Sequence, residues 1–193
     1  IEVHSTNADP ISARFVAYDY QTGFGLVRAE PALTVKPVKL GQSSQLKEGD
    51  PILMVGFGGS EAVVGSRVVS RKEFAGYWEY LLEAAIYTSP PHANYGGAAL
   101  IDSKGDLLGI GSIYTQFNIP GMGILPCNMS VPIDLLKPIL DDLIDHGRSS
   151  SPPQPWLGVH VDEVHGRVFI IRVTPGGPAD KAGIKKGDIV LAV

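Results

Sequence analysis

Glycine and proline divide most of this chain into short segments that are rich in β-branched and other apolar residues. The 193 residues include 23 glycines and 15 prolines, and segments bounded in this way are typical of strands joined by turns. Strands are predicted at residues 1–5, 13–18, 25–28, 51–57, 62–69, 79–88, 99–101, 107–112 and 127–131. A tight turn with Gly105 at a positive φ is expected over residues 102–106. This pattern predicts an all-β barrel or sandwich.

The composition is that of an ordinary globular protein, with 44% hydrophobic and 19% charged residues. A net charge of −4 and scattered basic residues argue against nucleic acid or an anionic membrane as the main partner, because both require a concentrated basic surface. No apolar run approaches the roughly 20 residues that span a bilayer. One cysteine, Cys127, cannot form an internal disulfide, and we interpret it as a small, half-buried residue rather than a nucleophile.

Residues 134–146 are the clearest helical segment, because their apolar residues recur at helical spacing. Asp134 is the expected N-cap, and Gly147 is expected to end the helix. Pro138 falls in the first turn, where its missing N–H should cost little. The polar, proline-rich residues 148–155 that follow predict a linker.

A second unit begins at Trp156. Strands are expected at residues 157–161 and 168–173, with a turn at His165 and Gly166 between them and a short helix after residues 176–179. About 38 residues cannot bury much of a core alone, so we expect an incomplete domain or one that packs on the first unit.

Three blocks of this tail, at matching spacing, resemble a PDZ domain of the bacterial protease-associated type. They are residues 156–159 (WLGV), 173–179 (VTPGGPA) and 182–190 (AGIKKGDIV). The resemblance implies that Trp156, Leu157, Gly158 and Val159 form the loop whose backbone N–H groups bind the C-terminal carboxylate of a peptide.

The region before the linker resembles the HtrA family of trypsin-like serine proteases. The match rests on residues 16–27 (VAYDYQTGFGLV), 42–56 (QSSQLKEGDPILMVG), 102–109 (DSKGDLLG) and 131–147. It implies a mostly β fold, a trypsin-like double β-barrel without its first strands, with a C-terminal helix and then a partial PDZ domain. The expected boundaries are residues 1–147 for the protease-like domain, 148–155 for the linker and 156–193 for the PDZ domain.

The positions that would cut peptides depart from the family pattern. The family places its serine in a Gly-Asn-Ser-Gly-Gly loop, whereas residues 93–100 read ANYGGAAL. An ungapped count from the following strand puts Gly96 at the nucleophile position, and matching the Gly-Gly pair puts Tyr95 there. Gly23 stands at the acid position, and Asp19 is interpreted as a turn residue. No intact catalytic set is therefore expected in this chain.

Other features of the family could persist without the serine. The backbone of Asn94, Tyr95 and Gly96 traces the loop that forms the oxyanion hole in active relatives. Residues 109–115 (GIGSIYT) resemble the strand that pairs with a substrate backbone. Each of the five histidines is interpreted as a surface or turn residue, and His160 and His165 lack metal-ligand spacing.

Four hypotheses are consistent with the sequence. The first is an inactive HtrA-like homologue that binds unfolded or extended polypeptides and peptide C-termini in protein quality control. The alternative is an active HtrA-type endopeptidase with an unrecognised nucleophile, such as Ser89 or Ser112, although neither precedes a Gly-Gly pair. The third is a processed piece of a longer enzyme, and the fourth is a β-rich binding domain of other ancestry.

The family resemblance also implies a periplasmic or cell-envelope location and a homo-oligomer formed through segments outside this chain. No cofactor, metal or nucleic acid is expected as a partner.

Overall fold

The computed structural model describes residues 1–5, 8–76, 80–119, 123–152 and 155–192. The chain divides into two compact units, Ile1–Ser150 and Ser151–Val193. The strands of the first unit are β1 (Glu2–Ser5), β2 (Ala8–Tyr18), β3 (Gly25–Ala29), β4 (Pro51–Val55), β5 (Val63–Ala75), β6 (Leu81–Ser89), β7 (Ala99–Ile101), β8 (Leu107–Ile119) and β9 (Gly123–Pro132). The second unit contains β10 (Val159–Val164), β11 (Arg167–Val173), β12 (Ile189–Val190) and the short helix α2 (Pro178–Lys181).

Six strands of the first unit close into a barrel in the order β4-β5-β6-β9-β8-β7, and β1–β3 form a separate three-stranded sheet. The β7 strand is only three residues long. The residues before it reach β8 through two hydrogen bonds at Gly111, whose N–H donates to the carbonyl of Ala98 and whose carbonyl accepts the N–H of Gly97. Beyond that point, β9 is the only described strand that pairs with β8. Among the described residues, one edge of β8 is therefore unpaired from Ser112 onward, and we call it the open edge of β8.

Alternation along the strands directs apolar side chains into two clusters. In β4 the pattern buries Ile52 and Met54, which pack with Leu100 inside the barrel. A larger cluster around Met129 and Leu143 joins the barrel to the C-terminal helix and to β2. Each fully buried side chain of this size stabilises the fold by about 1.5–3 kcal/mol relative to an exposed one.

The predicted helix over residues 134–146 is too long. The α-helix of this region, α1, spans Leu140–His146. It follows a 3-10 helix at Ile133–Leu135. Pro138 explains the late start, because it lacks an N–H and disfavours a helical conformation in the residue before it.

The prediction for the start of the helix is wrong, and the prediction for its end is confirmed. Asp134 is not its N-cap, because its carboxylate instead accepts the N–H of Ser44 at 2.7 Å and the ammonium group of Lys137 at 2.6 Å. Gly147 ends the helix as predicted, with φ 71° and its N–H bonded to the carbonyl of Leu143.

The predicted strands are confirmed in position, and several are longer than expected. The strand predicted at 107–112 continues to Ile119, in a hairpin with β9. The strand predicted at 79–88 begins at Leu81, and residue 79 lies outside the described residues. Gly105 has the predicted positive φ, 84°. Cys127 is fully buried rather than half-buried.

The second unit has a small core, as its length predicted. Its strands form an antiparallel sheet in the order β10-β11-β12, with His165 and Gly166 at the β10–β11 turn. Among its described residues, the buried apolar side chains are those of Ile170 and Ala179. None of the helices in the described part of the chain is long and apolar enough to cross a lipid bilayer.

Candidate functional site

The loop between β6 and β7 contains the predicted nucleophile positions and forms a tight turn. The N–H of Ala98 donates to the carbonyl of Tyr95 at 3.0 Å, which leaves Gly96 and Gly97 at the two central positions. Gly97 has φ 79°, as the second central residue of a type II turn requires. A Cβ on Gly96 would meet no atom within 4 Å. The turn therefore carries no side chain at its tip.

This turn is docked on β8 through a glycine. The N–H of Gly97 donates to the carbonyl of Gly111 at 2.8 Å, and the N–H of Gly111 donates to the carbonyl of Ala98 at 2.7 Å. A Cβ on Gly111 would lie 2.2 Å from the carbonyl oxygen of Tyr95, closer than any side chain permits. The close approach of loop and strand therefore requires glycine at position 111.

His92 holds the loop in place through hydrogen bonds of its backbone and its ring. Its side chain is buried, at 4% exposure. Its backbone N–H donates to Oδ1 of Asn128 at 2.6 Å, and its Nδ1 accepts the N–H of Asn94 at 2.9 Å. With Nδ1 as acceptor, the ring proton belongs on Nε2, which lies 3.0 Å from the carbonyl of Ala62. Both ring nitrogens are thus engaged in structural hydrogen bonds.

The interpretation of every histidine as a surface or turn residue is therefore wrong for His92. The carbonyl of Ala62 and the N–H of Asn94 satisfy its ring, which removes the usual cost of burying it. The same contact engages the N–H of Asn94, one of the three residues proposed for an oxyanion hole. The roles of Tyr95 and Gly96 in such a hole stay predictions.

Both alternative serines have structural partners. Ser89 donates its hydroxyl to the carbonyl of Pro126 at 2.9 Å. Ser112, on β8, shares a hydrogen bond with the hydroxyl of Tyr80.

The predicted acid position lies in the turn between β2 and β3. Gly23 has φ 77°, and the ring of Tyr80 lies against it. Asp19 is buried, and its Oδ2 accepts the N–H of Thr22 at 2.9 Å and the hydroxyl of Thr22 at 2.6 Å. This confirms the interpretation of Asp19 as a turn residue.

Cys127, the remaining candidate nucleophile, lies in an environment that disfavours its reactive thiolate form. Burial raises the pKa of the Cys127 thiol, and nearby Lys72 only partly offsets this, so the thiol is protonated and a poor nucleophile. Within the described residues, no three His, Cys, Asp or Glu side chains are grouped as a metal ion requires.

The loop predicted to bind a peptide carboxylate is held by backbone hydrogen bonds within the second unit. The carbonyl of Leu157 accepts the N–H of Ala179 at 3.0 Å, and the carbonyl of Gly158 accepts the N–H of Thr174 at 2.8 Å. Trp156 and Leu157 are exposed at 63% and 59%. Gly158 has φ 77° beneath the ring of Trp156. The loop is thus fixed in shape with its two large side chains at the surface.

Comparison with known proteins identifies the family of the first unit. Residues 1–110 match the family described as trypsin-like peptidase domain. The chain belongs to the trypsin-like peptidase family. Residues 155–193 match the PDZ domain family, and this combination makes the chain an HtrA-type member.

Curated relatives extend over nearly all of the chain. This chain is 29% identical to the serine protease PepD of Mycobacterium tuberculosis, and the match covers 92% of this chain and 41% of that protein. It is also 29% identical to a probable periplasmic serine endoprotease, DegP-like, of a Marinomonas species, over 93% of this chain and 39% of that protein. The chain therefore spans about two fifths of the length of these relatives.

Solved structures show the same fold. The HtrA-type protease AlgW with a decapeptide matches 99% of this chain and 61% of that chain, with a TM-score of 0.63 and 23% identity. The same protease with a tripeptide matches 98% of this chain and 65% of that chain, with a TM-score of 0.59 and 23% identity. The predicted fold, mostly β with a trypsin-like domain and a PDZ domain, is confirmed.

Three residues of this HtrA-type site were not found from the sequence. Asn128 and Tyr80 carried no motif, and His92 was interpreted with the other histidines as a surface or turn residue. A histidine directly after Pro90 and Pro91 and next to the nucleophile loop was the one available signal, because a stiff segment fixes where such a side chain points.

Proposed function

We propose that this HtrA-type chain is proteolytically inactive and binds extended polypeptides. The observation that carries the proposal is the turn at residues 95–98, where Gly96 and Gly97 offer no hydroxyl. Acyl transfer in this family requires a hydroxyl nucleophile beside a histidine base. Tyr95, the other residue at the nucleophile position, carries a phenol, which is a poor acyl acceptor in this geometry.

The acid position supports the same proposal. Gly23 carries no carboxylate, and the carboxylate of Asp19 is engaged by Thr22. A catalytic histidine needs an acid that fixes its tautomer and orientation. A histidine supplied by sequence outside these residues would therefore find no acid at this position.

The open edge of β8 supports polypeptide binding. From Ser112 onward, the described strands leave one side of β8 unpaired, so alternate backbone N–H and carbonyl groups face outward. An extended chain can pair with such an edge through its main chain, whatever its sequence. Tyr114, 43% exposed on the same segment, offers apolar contact to a bound chain.

The second unit supports a further mode of binding, the capture of peptide C-termini. Trp156, Leu157, Gly158 and Val159 form the loop assigned to carboxylate binding, and hydrogen bonds to Thr174 and Ala179 hold its shape. Similar structures of AlgW were solved with a decapeptide and a tripeptide, which supports peptide binding by this chain too.

The cellular location and biological role proposed for this chain are taken from its relatives. Several are named as periplasmic endoproteases, so we place the chain in the periplasm or cell envelope, with a role in protein quality control. Assembly into a homo-oligomer through segments outside these residues is part of the same proposal.

Binding and cleavage can be measured together with an unfolded polypeptide. Reduced and carboxymethylated α-lactalbumin, labelled with a fluorophore, should bind the chain in an anisotropy titration and stay intact on a gel. A peptide with a free hydrophobic C-terminus should also bind, and amidation of that C-terminus should weaken binding. Absence of binding, or cleavage of the labelled polypeptide, would contradict the proposal.

The second candidate function is an active endopeptidase, which the names of the relatives favour. It requires a serine that can approach a histidine. Ser89 and Ser112 would first have to break their hydrogen bonds with Pro126 and Tyr80.

A further inference from the structure

Tyr80 is held in place by contacts with three parts of the first unit. Its ring lies against Gly23, where a Cβ would come within 2.2 Å of Cε1. Its hydroxyl is hydrogen-bonded to Oγ of Ser112. Phe74 packs against it with ring centroids 6.1 Å apart. The half-buried ring thus has a defined position between the β2–β3 turn and β8.

Glycine at position 23 makes room for this ring. A side chain at that position would collide with Tyr80 and would also have to adopt φ 77°, which side chains other than glycine rarely do. The predicted acid position is therefore not an empty space, because Tyr80 fills it.

Ser112 is the first residue of β8 beyond its pairing with the β7 segment. A polypeptide strand added at this edge would place one side chain directly beside Ser112 on the same face of the sheet. Cross-strand neighbours of this kind have Cβ atoms about 4.5–5.5 Å apart. The ring of Tyr80, whose hydroxyl is bonded to that of Ser112, would compete with this side chain for the space beside Ser112.

We infer that Tyr80 determines the specificity of the open β8 edge by admitting only glycine or alanine beside Ser112. The inference rests on the proposed binding of extended polypeptides along β8. A larger side chain would have to displace the ring from Gly23, Phe74 and Ser112, and the loss of those contacts would weaken its binding. Such a steric restriction is a common source of specificity.

The test measures the affinity of the full chain for short, C-terminally amidated peptides. The peptides differ at one position, occupied by glycine, alanine, leucine or phenylalanine, and that position is scanned along the peptide. We expect wild-type protein to bind the best glycine or alanine peptide about tenfold more tightly than the leucine and phenylalanine peptides. Tyr80→Ala should reduce that preference to roughly threefold or less, and added p-cresol, which replaces the lost ring, should restore it.

Two controls isolate the effect of the ring. Tyr80→Phe keeps the ring without its hydroxyl and should keep the preference for small residues. Tyr20→Ala removes a tyrosine that is 81% exposed and should also leave the preference unchanged. Where circular dichroism shows that Tyr80→Ala is unfolded, Tyr80→Leu takes its place.

The outcomes separate this inference from the proposed function. If wild-type protein binds all peptides equally, or if Tyr80→Ala keeps the full preference, Tyr80 does not set specificity, although polypeptide binding itself stands. If neither wild-type protein nor Tyr80→Ala binds any peptide, the proposed function is wrong and the inference falls with it.

Discussion

The N–H of Asn94 donates a hydrogen bond to Nδ1 of His92 at 2.9 Å, within the loop where the sequence predicts the nucleophile position. Because the same histidine is anchored to Asn128 and Ala62, the bond ties the loop to the wall of the barrel. The conformation of the loop thus depends on a buried histidine with a structural role.

Replacing His92 should destabilise the first unit. His92→Ala leaves the Asn94 N–H and the Ala62 carbonyl without their partner and opens a cavity, so we expect a loss of about 3 kcal/mol in the free energy of unfolding. Urea denaturation measures this loss. His146→Ala is the matched control, because that side chain is 70% exposed and its removal should change stability by no more than about 0.5 kcal/mol. Equal effects of the two substitutions would contradict the role given to His92.

Gly111 should not tolerate a side chain. A Cβ there would lie 2.2 Å from the carbonyl oxygen of Tyr95, so Gly111→Ala must push the loop away from β8, at a cost of about 2 kcal/mol. Gly65→Ala on β5 is the control, because a Cβ there meets nothing within 4 Å. Unfolding titrations of the two variants should differ clearly, and similar stabilities would show that the loop and strand are not in close contact.

Gly96 and Gly97 should respond differently to the same substitution. Gly96→Ser enters open space at an ordinary φ and should leave stability within about 0.5 kcal/mol of wild type. Gly97→Ser forces a side chain to φ 79° and should cost about 1–2 kcal/mol. Thermal unfolding of the pair tests the turn geometry, and the reverse ranking would contradict it.

The carboxylate of Asp134 should make stability depend on pH. Burial alone would raise its pKa, but hydrogen bonds from Lys137 and Ser44 hold the pKa well below its ordinary value. A group with a lowered pKa in the folded state stabilises the fold above its unfolded pKa, near 3.9, and loses that effect as pH falls towards the folded value.

At pH 7, Asp134→Ala should therefore be less stable than wild type by about 1–2 kcal/mol. The difference should narrow as the pH is lowered below about 4. Urea titrations over this range measure the change, and a difference that widens at low pH would show that the carboxylate is not the stabilising form.

The fold was predictable from the sequence wherever a local pattern determined it. Apolar segments bounded by glycine and proline placed the barrel strands, Gly105 took the positive φ expected of it, and Gly147 ended the helix. The start of helix α1 was missed because the apolar periodicity continues through Pro138, while the proline prevents the backbone from following it.

The site was less predictable, because its contacts join residues that are distant in sequence. The pairing of Tyr80 with Gly23 crosses 57 positions, and the bond from the His92 N–H to Asn128 crosses 36. The sequence predicted glycine or tyrosine at the nucleophile position and Gly23 at the acid position. It could not show that an aromatic ring and a buried histidine occupy and support those positions instead, because no periodicity or motif records a contact between separate elements.

The most direct test of proteolytic inactivity is labelling of the protein with a fluorophosphonate, which reacts only with an activated serine. An active HtrA-type protease under the same conditions serves as the positive control. Proteolytic inactivity predicts that mass spectrometry detects no covalent adduct. A stoichiometric adduct, mapped to Ser89, Ser112 or any other serine of this chain, would contradict it and establish the chain as an active endopeptidase.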